Sequence, residues 1–471
     1  MTMAPVRPGG HESERLVRVP AFWVVLVLLI AGGIQIAIIG ARFVSAYPTA
    51  TFTATVLFAL LAVPFWLFLA DLDFLEPEPV AMQVMAFAWG GLVATSVSIP
   101  ASAALEDLVA KLGSPGLAAD WGAALAGPTV EEIAKTLGIV AIVLIARTQI
   151  NSVLDGVVYG AMVGLGFQIV EDIVFALGAV ALAGRGDSVQ PVVATFLLRG
   201  FLSGVWSHTL FGALAGAGLG YLVVRKDKTR AARIGVALLA VVGSWCSHVL
   251  WNAPLFSDGL GNGGLALLAV LVFKGLPPLL LILLLVRAAH DWEADYYTAQ
   301  LAALHDPELI TDAELEVLRS GPRRAEARRH ARLRAGYKAH AAVRRLQRAQ
   351  ARLAVELSRA DQPAPAPGSP AAGSSDAGSS DAGSSDLSRG VPVPRPRPAE
   401  SGLSGEATEG SVARWCAVVR AQRAALAELG LPEAVVPVDS QGAWRRRAES
   451  VLAVVVAIAV LWVALSALGG A

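Results

Sequence analysis

Glu131, Glu132 and Lys135 lie inside WGAALAGPTVEEIAKTLGIVAIVLIAR, residues 121–147, a run whose length and composition suit a membrane span. Three more apolar runs carry residues of the same kind: Glu171 with Asp172, His208, and His248 with Asn252. Ionisable groups in hydrocarbon are costly, so they face a bundle interior and mark a functional path. Carboxylates and imidazoles can activate a water, as general base or through a bound metal. An Asn amide can stabilise a developing oxyanion. Two His and a Glu are also a zinc set that leaves one position for water. These parts suffice for peptide hydrolysis, and they would also serve a proton path.

Helical geometry decides which of them can meet. Positions three and four apart share a face. Glu131 or Glu132 with Lys135, Phe167 with Glu171, and His248 with Asn252 are therefore one-face pairs, and Lys135 can hold its neighbouring Glu ionised. Depth gives a second test. At about 1.5 Å per residue, Glu131 should lie roughly 10–15 Å below the outer surface and Glu171 roughly 15 Å. His208 should lie roughly 13 Å down if Arg199 marks the outer interface, and His248 roughly 8–10 Å. Four spans of alternating direction thus place their polar residues in one slab.

The wider sequence supplies those spans. The chain has 471 residues, 55% of them hydrophobic, and a mean hydropathy of +0.58. Its apolar excess falls in long runs, which places it among membrane proteins. Runs of roughly 20 apolar residues lie near 21–41, 50–70, 81–104, 121–147, 154–183, 193–224, 233–253, 264–287 and 450–468. The expected fold class is all-α, a polytopic bundle of about eight core spans with a further C-terminal anchor. The first run reads as an uncleaved anchor, because its apolar core is too long for a signal peptide.

Lys and Arg concentrate in cytoplasmic loops. Arg7, Arg15 and Arg18, the cluster Arg225–Arg233, the segment from Arg287, and Arg445–Arg447 all fall on one side of this scheme. The loops at 105–120, 184–192 and 254–263 are poor in basic residues. The chain is expected in the cell membrane as a multi-pass protein with its N-terminus in the cytoplasm. The acidic stretch 71–79, DLDFLEPEP, is the one cytoplasmic exception.

Domain boundaries follow from composition: a cytosolic tail 1–20, a membrane core 21–287, a basic helical segment 288–360, a Pro/Ser/Gly linker 361–410, a short helical segment 411–449, and an anchor 450–471. Thr311–Glu314 matches a capping box. The basic face of 322–359 is expected beside anionic lipid headgroups rather than on nucleic acid. AGSSD stands three times in tandem from Ala372 to Asp386, a sequence that cannot bury a core. The two cysteines, Cys246 and Cys416, suggest neither a disulfide framework nor a metal site. Cys246 reads as a small buried residue.

Plainer roles are available for several of these residues. A Glu–Lys pair one turn apart can be a structural ion pair, and a lone His in a span commonly hydrogen-bonds another helix. Gly160, Gly164 and Gly166, with Gly212, Gly216 and Gly220, read as small-residue packing stripes. Phe167 reads as packing and Asp155 as a helix cap.

EExxK (Glu131, Glu132, Lys135), DGxxYGxxxGLGFxxxED (Asp155 to Asp172), an isolated His208 and HxxWN (His248, Trp251, Asn252), in that order, resemble the PrsW family of intramembrane proteases. EPEP at Glu76–Pro79 is similar to that family as well. The resemblance covers roughly residues 20–290. It implies an integral-membrane endopeptidase whose substrate is a single-span membrane protein, an anti-sigma factor being one case. It implies Glu131 and Glu132 as general base, Glu171, His208 and His248 as residues that position water or bind a metal, with Zn2+ the candidate, and Asn252 as oxyanion donor. Asp172 stands where the family has Asn. Metal-assisted and metal-free, glutamate-dependent hydrolysis both stay open. The rival class is a proton-coupled transporter or channel built on the same acids and histidines; no internal repeat supports it. An inactive scaffold with a basic recruiting tail is a third.

Overall fold

The computed structural model describes residues 18–72, 74–75, 77–145, 150–203, 208–255, 268–360 and 405–436. Among these residues the structure is helical, without strands. Helices α1 (Pro20–Ala46), α2 (Pro48–Leu72), α3 (Val80–Leu112), α5 (Val153–Ala183), α8 (Arg230–Asn252) and α9 (Leu268–Ala302) are long and apolar enough to cross a membrane. Between them lie α4 (Pro115–Ile145), which carries the EExxK charges, and α7 (His208–Val224), apolar but 17 residues long. The segment α6 joins Gln190–Thr195 to a π-helical stretch, Phe196–Ser203.

Helix α5 is the axis of the bundle and is buried along most of its length. Its N-terminus is fixed by a capping box: the Asp155 amide donates to Ser152 Oγ at 3.1 Å, and the Ser152 amide donates to Asp155 Oδ2 at 2.9 Å. Gly156, Gly160 and Gly164 then bring α5 against α7 backbone to backbone. A Cβ on Gly160 would stand 2.1 Å from the Gly212 carbonyl oxygen, and one on Gly212 would stand 2.2 Å from the Gly160 oxygen. Gly166 belongs to a different contact, facing the Phe87 carbonyl of α3. Trp89, at the π-helical turn of α3, donates its Nε1–H to the Ala134 carbonyl at 3.0 Å and lies over Gly138, which seats α4.

The expected set of nine spans changes in three places. The run 193–224 carries two described elements, α6 and α7, with 204–207 outside the described residues. The 105–120 loop is largely helical, with only a short break between α3 and α4 at 113–114. The helix of the eighth apolar run continues past 287: α9 extends to Ala302. The ninth run, residues 361–404 of the linker expected at 361–410, and Glu76 lie outside the described residues, while 405–410 are helical.

Beyond residue 287 a second core forms. Tyr297, Leu301, Ile310, Leu318, Leu346, Leu353, Val419 and Leu426 pack together, joined by Phe74 and Leu75 from the α2–α3 connection. This second unit contains α10 (Asp312–Leu318), started by the Thr311 capping box with Glu314, then α11 (Gly321–Ala360) and α12 (Gly405–Ala427). Helix α11 is folded back at Ala335 and Gly336, where Gly336 takes a φ of 76° that suits glycine. Buried Glu314 ties the unit together: Gln350 Nε2 donates to it at 3.0 Å, the Ala434 amide at 3.1 Å, and Arg423 pairs with it.

Candidate active site

Helices α4, α5, α7 and α8 bring the seven singled-out residues to one place. On α4, Pro128 lies inside the helix and the EExxK turn follows it. Glu132 and Lys135 sit one turn apart, as their spacing requires, with Nζ to Oε1 at 2.5 Å. Both are buried, Lys135 to 1% exposure and Glu132 to 2%. Glu132 is fully engaged. His248 donates from Nδ1 to its Oε1 at 2.8 Å, and Ser244 donates to its Oε2 at 2.8 Å. Lys135 also donates to His208 Nδ1 at 2.9 Å, and its ammonium lies 4.7 Å from the centre of the Phe167 ring. Phe167 therefore packs as expected but packs on the site: its ring centre is 4.8 Å from that of His208.

The two imidazoles are each oriented by a carboxylate. His208 donates from Nε2 to Glu171 Oε2 at 2.8 Å, which leaves Nδ1 as the acceptor. His248 donates from Nδ1 to Glu132, which leaves Nε2 as the acceptor. Both acceptor nitrogens turn toward Glu131. Its Oε2 lies 3.8 Å from His208 Nδ1 and 3.8 Å from His248 Nε2. That oxygen is buried and makes no hydrogen bond among the described residues. Glu131 Oε1 points elsewhere, 3.2 Å from where a Cβ on Gly127 would stand. Asn252 lies on the more open side: it is exposed, its Nδ2 donates to the Ala123 carbonyl at 3.3 Å and comes within 3.5 Å of His248 Nε2. A buried carboxylate flanked by two carboxylate-oriented histidines is equipped for acid–base hydrolysis.

Residues 78–277 match the model of the PrsW family intramembrane metalloprotease. That stretch is similar to the PrsW family, and it marks a membrane protease domain. No curated protein and no solved structure matches it. The matched stretch begins at Glu78, whose carboxylate accepts a hydrogen bond from the buried Tyr159 hydroxyl of α5, and it ends at α9.

A metal suits the PrsW site's donor set. Glu131, His208 and His248 each offer one ligand atom within 4.8 Å of the others. Metal-bound histidines donate their second nitrogen to a carboxylate, and both histidines here already do. The orphaned Glu131 Oε2 completes the set. Glu171, expected as the carboxylate ligand, instead accepts from His208 Nε2 and pairs with Arg199. Lys135, donating to His208 Nδ1, is the group that would have to yield to a cation.

Four further residues belong to this site. Arg199 Nη2 lies 2.6 Å from Glu171 Oε2 and its Nε lies 2.5 Å from Asp172 Oδ1. It sits at the depth of the site because a guanidinium in an apolar run seeks buried carboxylates. The same pair accounts for Asp172 as a second acid. Ser244 could have been found, since it stands four residues before His248. Lys274 of α9 donates to the Trp251 carbonyl at 3.4 Å and to that of Ala253, capping the end of α8; a charge inside an apolar run was its signal. Trp245 donates to Thr129 at 3.1 Å and ties α8 to α4. Cys246, expected to be buried, is exposed. Two residues from His248 is about 200° around the helix, away from the site.

Proposed function

We propose that this protease hydrolyses a peptide bond of a single-span, membrane-anchored protein, of which an anti-sigma factor is one instance, with water activated at Glu131, His208 and His248. The observation that carries this reading is the buried Glu131 Oε2, without a hydrogen bond and 3.8 Å from an acceptor nitrogen of each histidine. In the metal-free route Glu131 takes the proton of the attacking water and returns it to the leaving amide nitrogen; with a metal held there, Glu131 would serve as a ligand instead. Glu132 is too fully paired to serve as base; it orients His248 and balances Lys135. Glu171 does the same for His208. Asn252, on the open side, donates to the carbonyl oxygen as it becomes an oxyanion. Glu131, His208 and His248 are the residues that would hold a divalent metal, zinc being favoured by two imidazoles and a carboxylate. When bound, it would polarise the scissile carbonyl and acidify the water. The distribution of Lys and Arg supports a place in the cell membrane with the N-terminus in the cytoplasm and the site nearer the outer face.

The test is cleavage by purified full-length chain in liposomes, offered a panel of single-span proteins from the same cell. Glu131→Gln and His248→Ala should abolish cleavage, and a chelator arm reports metal dependence. Undiminished cleavage by both variants would sink the site assignment.

A further inference from the structure

The second arm of α11, residues 337–360, has two unlike faces. Ala339, Val343, Leu346 and Leu353 are buried in the extramembrane core. At about 100° per residue, Tyr337, Arg344, Arg348 and Arg352 fall on the opposite side within a sector of about 80°. Tyr337 is 70% exposed, Arg344 and Arg348 are exposed, and Arg352 is half-buried. None of these arginines makes an ion pair among the described residues. They crowd one another instead. Desolvation, then the neighbouring Arg344, push Arg348 below the ordinary arginine value; Asp71 opposes this and Arg352 adds to it. Arg328 is lowered in the same way, by desolvation and then by Arg344 and Arg348, again with Asp71 opposing.

The inner end of this face meets the end of α2. Ala70, Asp71, Phe74, Arg348 and Arg352 help to line a cavity of about 260 Å³. One turn back on α2, Leu67 and Phe68 are exposed at 63% and 62%, as lipid-facing residues of a span are. Asp71 is only about 4.5 Å of helix rise beyond Phe68. The arginines therefore stand where hydrocarbon gives way to phosphate headgroups. Guanidinium groups match phosphate oxygens in a fork, and tyrosine favours this interface.

We propose that Tyr337, Arg344, Arg348 and Arg352 form a binding face for the phosphates of anionic phospholipids, with the cavity beside Asp71 as its inner end. Asp71 offsets one guanidinium and leaves the site positive. Lipid held there clamps the extramembrane unit to the leaflet next to α2.

The experiment titrates full-length chain in nonionic detergent with dye-labelled phosphatidylglycerol, and with phosphatidylcholine carrying the same dye. Phosphatidylglycerol should bind more tightly, and its affinity should fall with added salt. The triple variant Arg344→Gln, Arg348→Gln, Arg352→Gln should weaken it about 100-fold at low salt, near fivefold per arginine, and leave phosphatidylcholine unchanged. The corresponding triple lysine variant should stay within about tenfold of wild type. If the glutamine triple fails to fold, the exposed single variant Arg344→Gln should still show about a fivefold loss. Equal affinity for the two lipids, or unaltered phosphatidylglycerol binding in the glutamine variants, overturns the proposal. Competition by glycerol phosphate as strong as by the lipid would make this a free-phosphate site. Stronger competition by a single-stranded oligonucleotide would make it a nucleic-acid surface. Either result overturns the lipid assignment.

Discussion

His248 donates its Nδ1–H to Glu132 Oε1 across 2.8 Å, joining helices whose contacting residues are 116 positions apart in sequence. The same carboxylate oxygen holds the Lys135 ammonium at 2.5 Å. Glu132 is thus the anion that keeps one imidazole oriented and one buried cation balanced, while its neighbour Glu131 has a bare oxygen.

The two glutamates should separate in mutagenesis. Glu132→Ala leaves Lys135 buried without its nearest anion, a loss that costs about 3–5 kcal/mol. Its melting temperature in detergent should fall sharply. Glu131→Gln removes no hydrogen bond at Oε2 and should change stability by under about 1 kcal/mol, while cleavage drops about 100-fold or more. Equal melting shifts in the two variants would contradict this division of roles.

Metal content checks the ligand set independently of activity. Full-length chain loaded with zinc or cobalt and desalted should retain one equivalent by elemental analysis. His208→Ala and His248→Ala should each lose most of it, and Glu131→Gln should weaken it. Glu171→Gln should keep the ion with reduced affinity, about 10–100-fold, since it acts only through His208. Retention by both histidine variants would place any bound metal elsewhere.

The α5–α7 seam should tolerate nothing larger than hydrogen. A Cβ on Gly160 meets a carbonyl oxygen at 2.1 Å, whereas one on Gly178 meets nothing within 4 Å. Gly160→Ala forces two backbones apart and should cost about 1–3 kcal/mol or more. Gly178→Ala, in the same helix, should be neutral or slightly stabilising. Folded yield on size exclusion and the melting temperature report both.

Asp187 makes one helix start sensitive to acid. Its carboxylate accepts from the amides of Thr49 and Ala50, both at 2.8 Å, across the α5–α6 connection. Desolvation raises its pKa, but the Ala50 and Thr49 donors together outweigh this and hold it below the ordinary carboxylate value. A depressed folded-state pKa stabilises above the unfolded value, about 3.9, and that stability is lost as pH falls through the folded value. The melting-temperature gap between wild type and Asp187→Asn should be open at about pH 6 and close in acid below about pH 4. A gap that widens in acid would refute the assignment.

The all-helical membrane class, the residue types of the candidate site and the helices that carry them are legible in the amino-acid order alone. Spacing along one helix is short-range geometry, so Glu132 with Lys135 and His248 with Asn252 were legible as pairs. The resemblance to the PrsW family rested on those same residues. Spacing could not choose between Glu131 and Glu132. That choice depends on which carboxylate finds Ser244 and His248 of another helix, and only packing of α8 on α4 decides it. The tautomer of His208 likewise follows from Lys135 on one side and Glu171 on the other, contributed by α4 and α5. Arg199 read as an interface marker because its partners, Glu171 and Asp172, lie 28 and 27 positions away. The core beyond residue 287 was hidden for a related reason. Its apolar residues are spread thinly over polar stretches of helix, each too weak a signal alone, and they become a core only where the end of α9, α11 and α12 pack together around Leu301, Leu346 and Leu426.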